Sequence, residues 1–364
     1  MAKIAIDARE YSTSTGRYVS KLVEYLEKVD TKNEYIVLLK ETDFSKYQPA
    51  NSRFTKIVSP YKEFSFSEQI GLAKQLYSLK ADLVHFGMVQ QPVLYFRPVV
   101  TTIHDLTTLR FTNPAKNPVI FKIKQLVYAI VIWVAAHKSK QIIVGSNYVK
   151  KDLMDYAAIN PEKINVTLES ADRITDEPEP ITSLVGKPFL MYVGRPTPHK
   201  NLWRLIQAFS QLKNQHPDLV LALAGKLDSN YRAIQAKVQK AGIADVMFCG
   251  FVSEGQLRWL YENCQAYVFP SLSEGFGLPG LEAMAHQAPV VASNATCLPE
   301  IYGHAALYFN PTDIKDMTDA IDKVLSDQTL RQELIDSGSR HAQTFSWEKM
   351  AQETLAVYQK ALSN

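Results

Sequence analysis

The sequence predicts an α/β protein made of two Rossmann-like, doubly wound parallel sheets, as two domains facing a cleft. Three observations carry this. Short buried apolar runs alternate with amphipathic helical segments along nearly the whole chain, which is the pattern of βαβ units. At 364 residues the chain is long for one core and comfortable for two. The polar, proline-punctuated stretch Asp176-Glu-Pro-Glu-Pro-Ile-Thr-Ser divides one such series from a second, cleaner one.

The elements follow in order. Lys3–Ala8 alternates apolar residues and reads as the first strand, and Arg17–Lys28 carries a helical stripe through Tyr18, Leu22 and Leu26. Tyr35–Leu39 and Phe54–Val58 are short strands, and Ser67–Leu79 reads as a helix. Leu83–His85, Val99–His104 and Gln141–Val144 are further buried strands, with a long helix ending near His137. After the linker, Phe189–Val193 opens the second series. Val220–Ala224, Val246–Phe248, Ala266–Phe269, Val290–Ala292 and Ala306–Phe309 continue it, each followed by a helical segment. No solenoid repeat or low-complexity segment interrupts the pattern.

Composition narrows the function classes. Hydrophobic residues make up 46% and charged residues 21%, ordinary values for a globular protein. A net charge of +3 is too small to point to nucleic acid. Up to Asp172 there are 23 Lys and Arg against 17 Asp and Glu; beyond it the counts are 17 and 20. The basic first half suits an acidic partner or an anionic membrane, and equally suits solvated lysines. Cys249, Cys264 and Cys297 have no metal-ligand spacing and imply no disulfide framework. The opening Met-Ala-Lys-Ile-Ala-Ile-Asp reads as a strand and not as a secretion signal. The longest unbroken apolar run, Leu126 to Ala136, is too short to span a bilayer. The expectation is a soluble or peripheral protein. Lys116, Lys122, Lys124, Lys138 and Lys140 border that run, and such a rim can seat a protein on anionic lipid. A core helix with solvated ends is the alternative.

The most informative segment is Phe269-Pro-Ser-Leu-Ser-Glu-Gly-Phe-Gly-Leu-Pro-Gly-Leu-Glu-Ala-Met-Ala. A strand end runs into a glycine-rich turn that opens a helix at about Gly280. Main-chain N–H groups at a helix start are unpaired and carry positive dipole, so anions and hydroxyl oxygens dock there. Glu274 sits at the lip of the turn, and Glu282, with seven residues between the two, lies in the first helical turn. N–H donors for phosphate beside carboxylates for hydroxyls suit a nucleotide-sugar.

The same segment satisfies G-x-G-x-x-G through Gly275, Gly277 and Gly280, with Glu300 placed like an acidic ribose partner. Against a dinucleotide site, Glu274 and Glu282 would crowd a pyrophosphate, and Pro279 removes an N–H. The motif also follows several βα units, whereas the fingerprint belongs to the first.

In open α/β sheets ligands bind beyond the carboxyl ends of the strands. After the first strand, Gly16 stands at the mouth of a helix, where main chain could approach a phosphate or an acceptor; a simple capped helix start is equally compatible. After Val99–Ile103 comes His104, able to donate to a sugar hydroxyl or accept a proton, or else satisfied by backbone. Asp105 reads as a turn cap. After Phe189–Val193 comes Gly194-Arg195-Pro-Thr-Pro-His199-Lys200-Asn201. There Arg195 and Lys200 flank a proline-set loop, and paired cations stabilise a departing diphosphate in a water-poor site. Asn201 reads as the cap of the next helix. Gly225, Lys226, Phe251 and Val252 could bracket a nucleobase or be simple turns.

Taken together these residues resemble the glycosyltransferases of family 4, which are retaining, nucleotide-sugar dependent and of the GT-B fold. The resemblance runs through Ile6-Asp7-Ala8-Arg9, Gly16-Arg17-Tyr18, Asp82-Leu-Val-His85 and Thr102-Ile-His104-Asp105-Leu106. It continues in Val144-Gly-Ser146-Asn-Tyr148, the Gly194 to Asn201 loop and the block from Phe269 to Pro311, covering nearly the whole chain.

The resemblance implies a first domain over 1–172 that binds acceptor, a linker over 173–187 and a nucleotide-sugar domain over 188–345. A last helix over 346–364 would return to the first domain. Arg195 and Lys200 would hold the diphosphate, and Glu282 the ribose. Glu274 would stand near the transferred sugar with the N–H groups of Phe276, Gly277 and Leu278, and His104 would lie on the opposite wall. No cofactor and no metal are implied, the cations and helix dipole taking the metal's place. The first loop has one glycine where many relatives have two or three, which leaves a donor contact by Gly16 open. The wording around Glu274, with Ser293-Asn and Leu298-Pro-Glu, is most similar to bacterial mannosyltransferases of surface-polysaccharide assembly. GDP-mannose is then the first donor, UDP- or ADP-glucose the next, and the acceptor a glycan or lipid-linked saccharide at the cytoplasmic membrane face. An epimerase, a sugar phosphorylase or a non-catalytic sugar-binding subunit of similar fold are the rival readings.

Overall fold

The structure is a computed structural model that describes residues 1–13, 16–112 and 117–363. Lys116, one of the rim lysines, lies outside the described residues. Two units emerge. The first comprises Met1–Leu109, Lys122–Glu169 and Ser346–Asn364; the second comprises Arg110–Phe121 and Ser170–Phe345.

The first unit holds a seven-stranded sheet of β1 (Lys3–Asp7), β2 (Glu34–Leu39), β3 (Phe54–Val58), β4 (Leu83–Phe86), β5 (Val99–Thr102), β6 (Gln141–Val144) and β7 (Ile164–Val166). Their spatial order is β3-β2-β1-β4-β5-β6-β7, and every pair is parallel. The second unit holds β8 (Phe189–Val193), β9 (Val220–Ala224), β10 (Val246–Gly250), β11 (Ala266–Phe269), β12 (Val290–Ser293) and β13 (Ala306–Phe309). Their order is β10-β9-β8-β11-β12-β13, again all parallel. In each sheet the winding reverses beside the first strand, between β1 and β4 and between β8 and β11. Such reversals leave a crevice at the strands' carboxyl ends, where ligands bind. The central strands are buried on both faces, as parallel sheets covered by helices require: β4, β5, β9 and β11 have no exposed residue.

The last helix, Trp347–Ser363, belongs to the first unit. It packs on the helix Arg17–Val29 and buries Met350, Ala351, Val357 and Tyr358. The Tyr358 hydroxyl and His85 Nδ1 share a hydrogen bond of 2.6 Å.

Four features differ from the sequence reading. The segment read as a linker over 173–187 is tied to the second unit. Arg258 donates to the Asp176 carbonyl, the Glu179 N–H reaches the Gly255 carbonyl, and Leu184 is buried. Proline and acidic residues marked it as connecting chain, but its polar groups find partners at the start of the helix Glu254–Asn263. The helix expected over Ser67–Leu79 is a π turn, Glu68–Leu72, followed by an α-helix, Ala73–Leu79. The edge strand β7 was not legible, being three residues long with Asn165 at its centre.

The fourth difference is the helix Pro118–Lys138. It is long and apolar enough, by length and composition, to cross a membrane, because it extends well beyond the unbroken apolar run. It buries Ile132, Ala135 and Ala136 against the first unit. Only 22% of its apolar stretch is buried, however, and Ile123, Leu126, Ile130 and Trp133 are exposed. It is therefore not the core helix weighed from sequence.

Candidate functional site

In the second unit the loops after β8 and β11 flank the reversal of the sheet, and three links brace them together. The Leu272 N–H donates to the His199 carbonyl at 2.7 Å. Asn201 Nδ2 donates to the carbonyls of Pro270 (3.0 Å) and Pro311 (2.7 Å). Lys200 Nζ donates to Glu274 Oε1 at 2.6 Å. Asn201 stands at the cap position of the helix Leu202–Leu212, but in a left-handed conformation and without a side-chain cap bond. Its amide serves the brace instead, which corrects the capping role read from sequence.

Glu274 is fixed at both ends. Its N–H donates to Thr296 Oγ1 (3.1 Å), and its carbonyl accepts from Cys297 Sγ (3.3 Å). Lys200 also lies 5.4 Å from the centre of the Phe269 ring. An ammonium and a carboxylate, both mostly buried, thus share the mouth of the switch point. The ammonium can compensate developing phosphate charge while the carboxylate accepts from hydroxyls.

The helix after the glycine turn runs Leu278–Ala285, with Gly277 as its cap at φ +96°. It begins two residues earlier than the sequence suggested, so Glu282 falls in its second turn. As the first helical residue, Leu278 has an N–H beyond intrahelical reach, the feature that makes a helix start receptive to anions. Phe276 is buried edge-to-face against Phe345. Glu282 is buried and accepts from the Tyr261 hydroxyl at 3.2 Å.

Gly277 and Gly280 serve Tyr302. Its hydroxyl donates to the Gly277 carbonyl at 2.5 Å. A Cβ at Gly277 or Gly280 would fall 2.6 or 2.3 Å from that hydroxyl oxygen. The last two glycines of the G-x-G-x-x-G pattern are thus accounted for by packing on an aromatic ring, and the pattern follows the fourth strand of its sheet.

Arg195 is 76% exposed and pairs through Nε with Asp228 Oδ2 at 3.2 Å. Asp228 also caps the helix Ser229–Ala241 through the N–H groups of Asn230 and Tyr231. Those hydrogen bonds and Arg195 outweigh the effect of burial and hold its carboxyl below the usual range. Gly225, at φ +154°, lies against Gly194, whose carbonyl would meet an added Cβ at 2.5 Å. Lys226 and Phe251 are exposed and Val252 half-buried, at the ends of β9 and β10.

The remaining candidates belong to the first unit. Gly16 donates its N–H within its own turn, to the carbonyl (2.9 Å) and Oγ1 (3.0 Å) of Thr13. A Cβ there would lie 1.6 Å from the Glu10 carbonyl oxygen. A phosphate contact from this N–H would require the turn to open. His104, after β5, shares Nε2 with the Gly87 carbonyl (3.1 Å) and faces Glu169 through Nδ1 (3.4 Å). Burial works against its charge, but the Glu169 carboxylate outweighs it and raises its pKa. Asp105 Oδ1 accepts from the Thr107 N–H, the turn cap expected.

Sequence reasoning missed Asp228, Thr296, Tyr302, Tyr261 and Glu169 as site supports. Only Asp228 carried a local signal, an aspartate directly before a helical segment.

Two doubly wound parallel sheets, with charged loops beyond their strand ends, define the class of two-domain Rossmann-like transferases with the GT-B fold. Comparison with known proteins makes this specific. Residues 174–341 match the family model "Glycosyl transferases group 1". The O-antigen chain mannosyltransferase B of Escherichia coli is 30% identical over 274 residues, spanning 71% of this chain and 69% of that protein. The MMP alpha-(1->4)-mannosyltransferase of Mycolicibacterium hassiacum is 30% identical over 63% of this chain and 56% of its own length. A serotype-specific mannosyltransferase WbdA of Escherichia coli matches over only 28% of its length. Among solved structures, sucrose-phosphate synthase from Thermosynechococcus elongatus superposes with a TM-score of 0.78 at 19% identity, covering all of both chains. Anabaena HepE, in complex with UDP and glucose, superposes at 0.74 and 17%, covering 99% of this chain and all of that one. The chain belongs to the group 1 glycosyltransferases.

Proposed function

We propose that the protein is a retaining hexosyltransferase that moves mannose from GDP-mannose to a glycan or lipid-linked saccharide, working without a metal cofactor. The observation that carries this reading is the Lys200–Glu274 pair, set on braced loops either side of the β8/β11 reversal. Mannosyltransferases among the similar bacterial proteins support the sugar, and a neighbour of the same fold bound to UDP and glucose supports a nucleotide-sugar donor.

In this reading Arg195 and Lys200 neutralise the leaving diphosphate, helped by the helix start at Leu278. That is the charge a divalent metal supplies in other transferases. Glu282 takes the ribose hydroxyls. Glu274 and the N–H groups of Phe276, Gly277 and Leu278 take the sugar, and His104 approaches it from the acceptor side. Gly225, Lys226, Phe251 and Val252 frame the base. The bond from the anomeric carbon to the phosphate oxygen breaks while one to the acceptor oxygen forms on the same face, and the acceptor proton passes to the leaving phosphate.

The protein acts in the cytoplasm, docked at the inner membrane face through Lys122, Lys124, Lys138 and Lys140 beside the exposed face of the helix Pro118–Lys138. A thermal-shift screen of GDP-, UDP- and ADP-sugars tests the donor, because a ligand of the native state raises its melting temperature. Stabilisation by GDP-mannose is expected, and Glu274→Ala should abolish transfer while keeping that stabilisation. Unchanged turnover would overturn the assignment of Glu274, and a glycosylated enzyme peptide would overturn the single-step chemistry. Co-sedimentation with vesicles that ignores their anionic lipid content would overturn the docking.

A further inference from the structure

An apolar cleft of about 430 Å³ opens on the first unit, well away from the loops of the donor site in sequence. Its walls are Phe64 and Phe66, Gln69, Gln90 and Gln91, and the helix residues Val127, Ile130 and Val131. This volume is in the range of small-molecule sites, roughly 300–1,000 Å³. Phe66 is 88% exposed and Ile130 53%, an unusual outlay of apolar surface at one place. The acid in its wall, Glu68, is matched by Arg9 at 2.8 Å.

Two glutamines of the lining carry unmatched polar atoms. Gln91 is 1% exposed and donates through Nε2 to Thr101, yet its Oε1 is buried with no donor among the described residues. Gln90 Oε1 is likewise buried and unmatched. Buried amide oxygens without donors are costly, so each calls for a partner. Gln90 also lines a small polar recess with Asp7, Arg9 and Gly87, at the β1/β4 reversal. Two unmatched acceptors thus lie just beneath the apolar walls, and Gln90 is shared with the recess beside the strand ends, where an acceptor sugar would be presented.

Resting on the glycosyl-transfer reading, we propose that this cleft binds the hydrocarbon chain of a lipid-linked saccharide acceptor. The chain lies between Phe64, Phe66 and the Val127–Val131 edge of the helix. Its arrival turns the Gln90 and Gln91 amides toward the cleft to accept from hydroxyls at its head, which directs the saccharide toward the ends of β1 and β4. A bilayer surface would have no use for buried amide acceptors, and a second copy of this chain would have to insert hydroxyl donors at the same depth.

The test is a titration of the full chain, without donor, against n-alkyl α-mannosides from butyl to dodecyl, below their micelle concentrations. Affinity should rise about three- to fourfold per methylene until the cleft is full. Val127→Trp, which fills the cleft from an exposed helix position, should flatten the series; Ile130→Trp gives the same reading should the first variant melt early. Gln90→Leu should weaken every member by a similar factor, about tenfold or less, with the slope retained. A flat series in the unaltered protein, or an equal slope in both Trp variants, overturns the proposal. So does an unchanged slope when either variant instead loses vesicle binding or changes its oligomeric state. Hydrolysis of GDP-mannose by the unaltered protein reports separately on glycosyl transfer. Its absence beside a steep alkyl series would sink the transfer reading and spare the cleft, and its presence beside a flat series would do the reverse.

Discussion

Tyr302 explains two glycines whose spacing suggests a nucleotide fingerprint. An alanine at Gly280 would place its Cβ 2.3 Å from the ring carbon that bears the Tyr302 hydroxyl, a fully buried ring that cannot swing aside. Gly280→Ala should destabilise the second unit by about 1–3 kcal/mol, the usual penalty of overpacking. The loss should appear in thermal melts with no nucleotide added. A variant that melts normally but binds nucleotide poorly would return the glycine to the phosphate. His104 offers a second test at this scale. Its ordinary pKa of 6.5 is raised because Glu169 outweighs burial. The folded value lies above the unfolded one, so stabilisation by the charged pair is complete below pH 6.5 and fades as the pH rises through the raised midpoint. Titration of the His104 ring followed by NMR should give a midpoint above 6.5, and Glu169→Gln should lower it. A midpoint at or below 6.5 in the unaltered protein contradicts the pairing.

Among the elements, the helix Ser229–Ala241 shows how one side chain can hold two structures. Asp228 caps it and pairs with Arg195. Asparagine caps about as well as aspartate, whereas alanine loses about 1 kcal/mol. The pair with the exposed Arg195 contributes roughly 0–1 kcal/mol. Asp228→Asn should therefore melt near the unaltered protein, and Asp228→Ala about 2–4 °C lower. Equal losses in both would mean that the ion pair, not the cap, dominates. The cap was missed although its signal is local, an aspartate directly before a helical segment. Most strands were legible, their apolar runs being long enough to be buried on both faces, and so were Lys200 and Glu274, in the loops that follow two of those runs. Tyr302 and Glu169 were illegible as supports because their partners, Gly277 and His104, lie tens of residues away with no shared periodicity. The helix Pro118–Lys138 misled for a different reason. Its apolar residues surround it, so sequence alone could not say which side the first unit covers.

At the scale of the whole molecule, the chain begins and ends in the same unit, with most of the second unit lying between Glu169 and Ser346. The final helix is held there by a buried polar chain. Tyr358 bonds His85, His85 Nε2 shares a 2.8 Å hydrogen bond with Thr102, and Thr102 meets the Tyr18 hydroxyl at 3.0 Å. Burial, and to a lesser degree His104, pushes the His85 pKa down to about 3, so His85 stays neutral in the fold through the range where an unfolded histidine takes up a proton. Stability of the first unit should fall by about 1.4 kcal/mol per pH unit below about 6.5 from this residue. The loss continues toward pH 3, where His85 itself protonates. His286, lowered to about 4 by burial, should act in the same direction in the second unit. Tyr358→Phe separates the two. It strands a buried imidazole nitrogen, at a cost of about 1–3 kcal/mol, and it touches only the first unit. Hydrogen exchange should quicken in Trp347–Ser363, in Arg17–Val29 and around β4, while the strands from β8 to β13 keep their protection. Equal acceleration in both sheets would mean that the units unfold as one, and the last helix would then be a clasp for the entire chain.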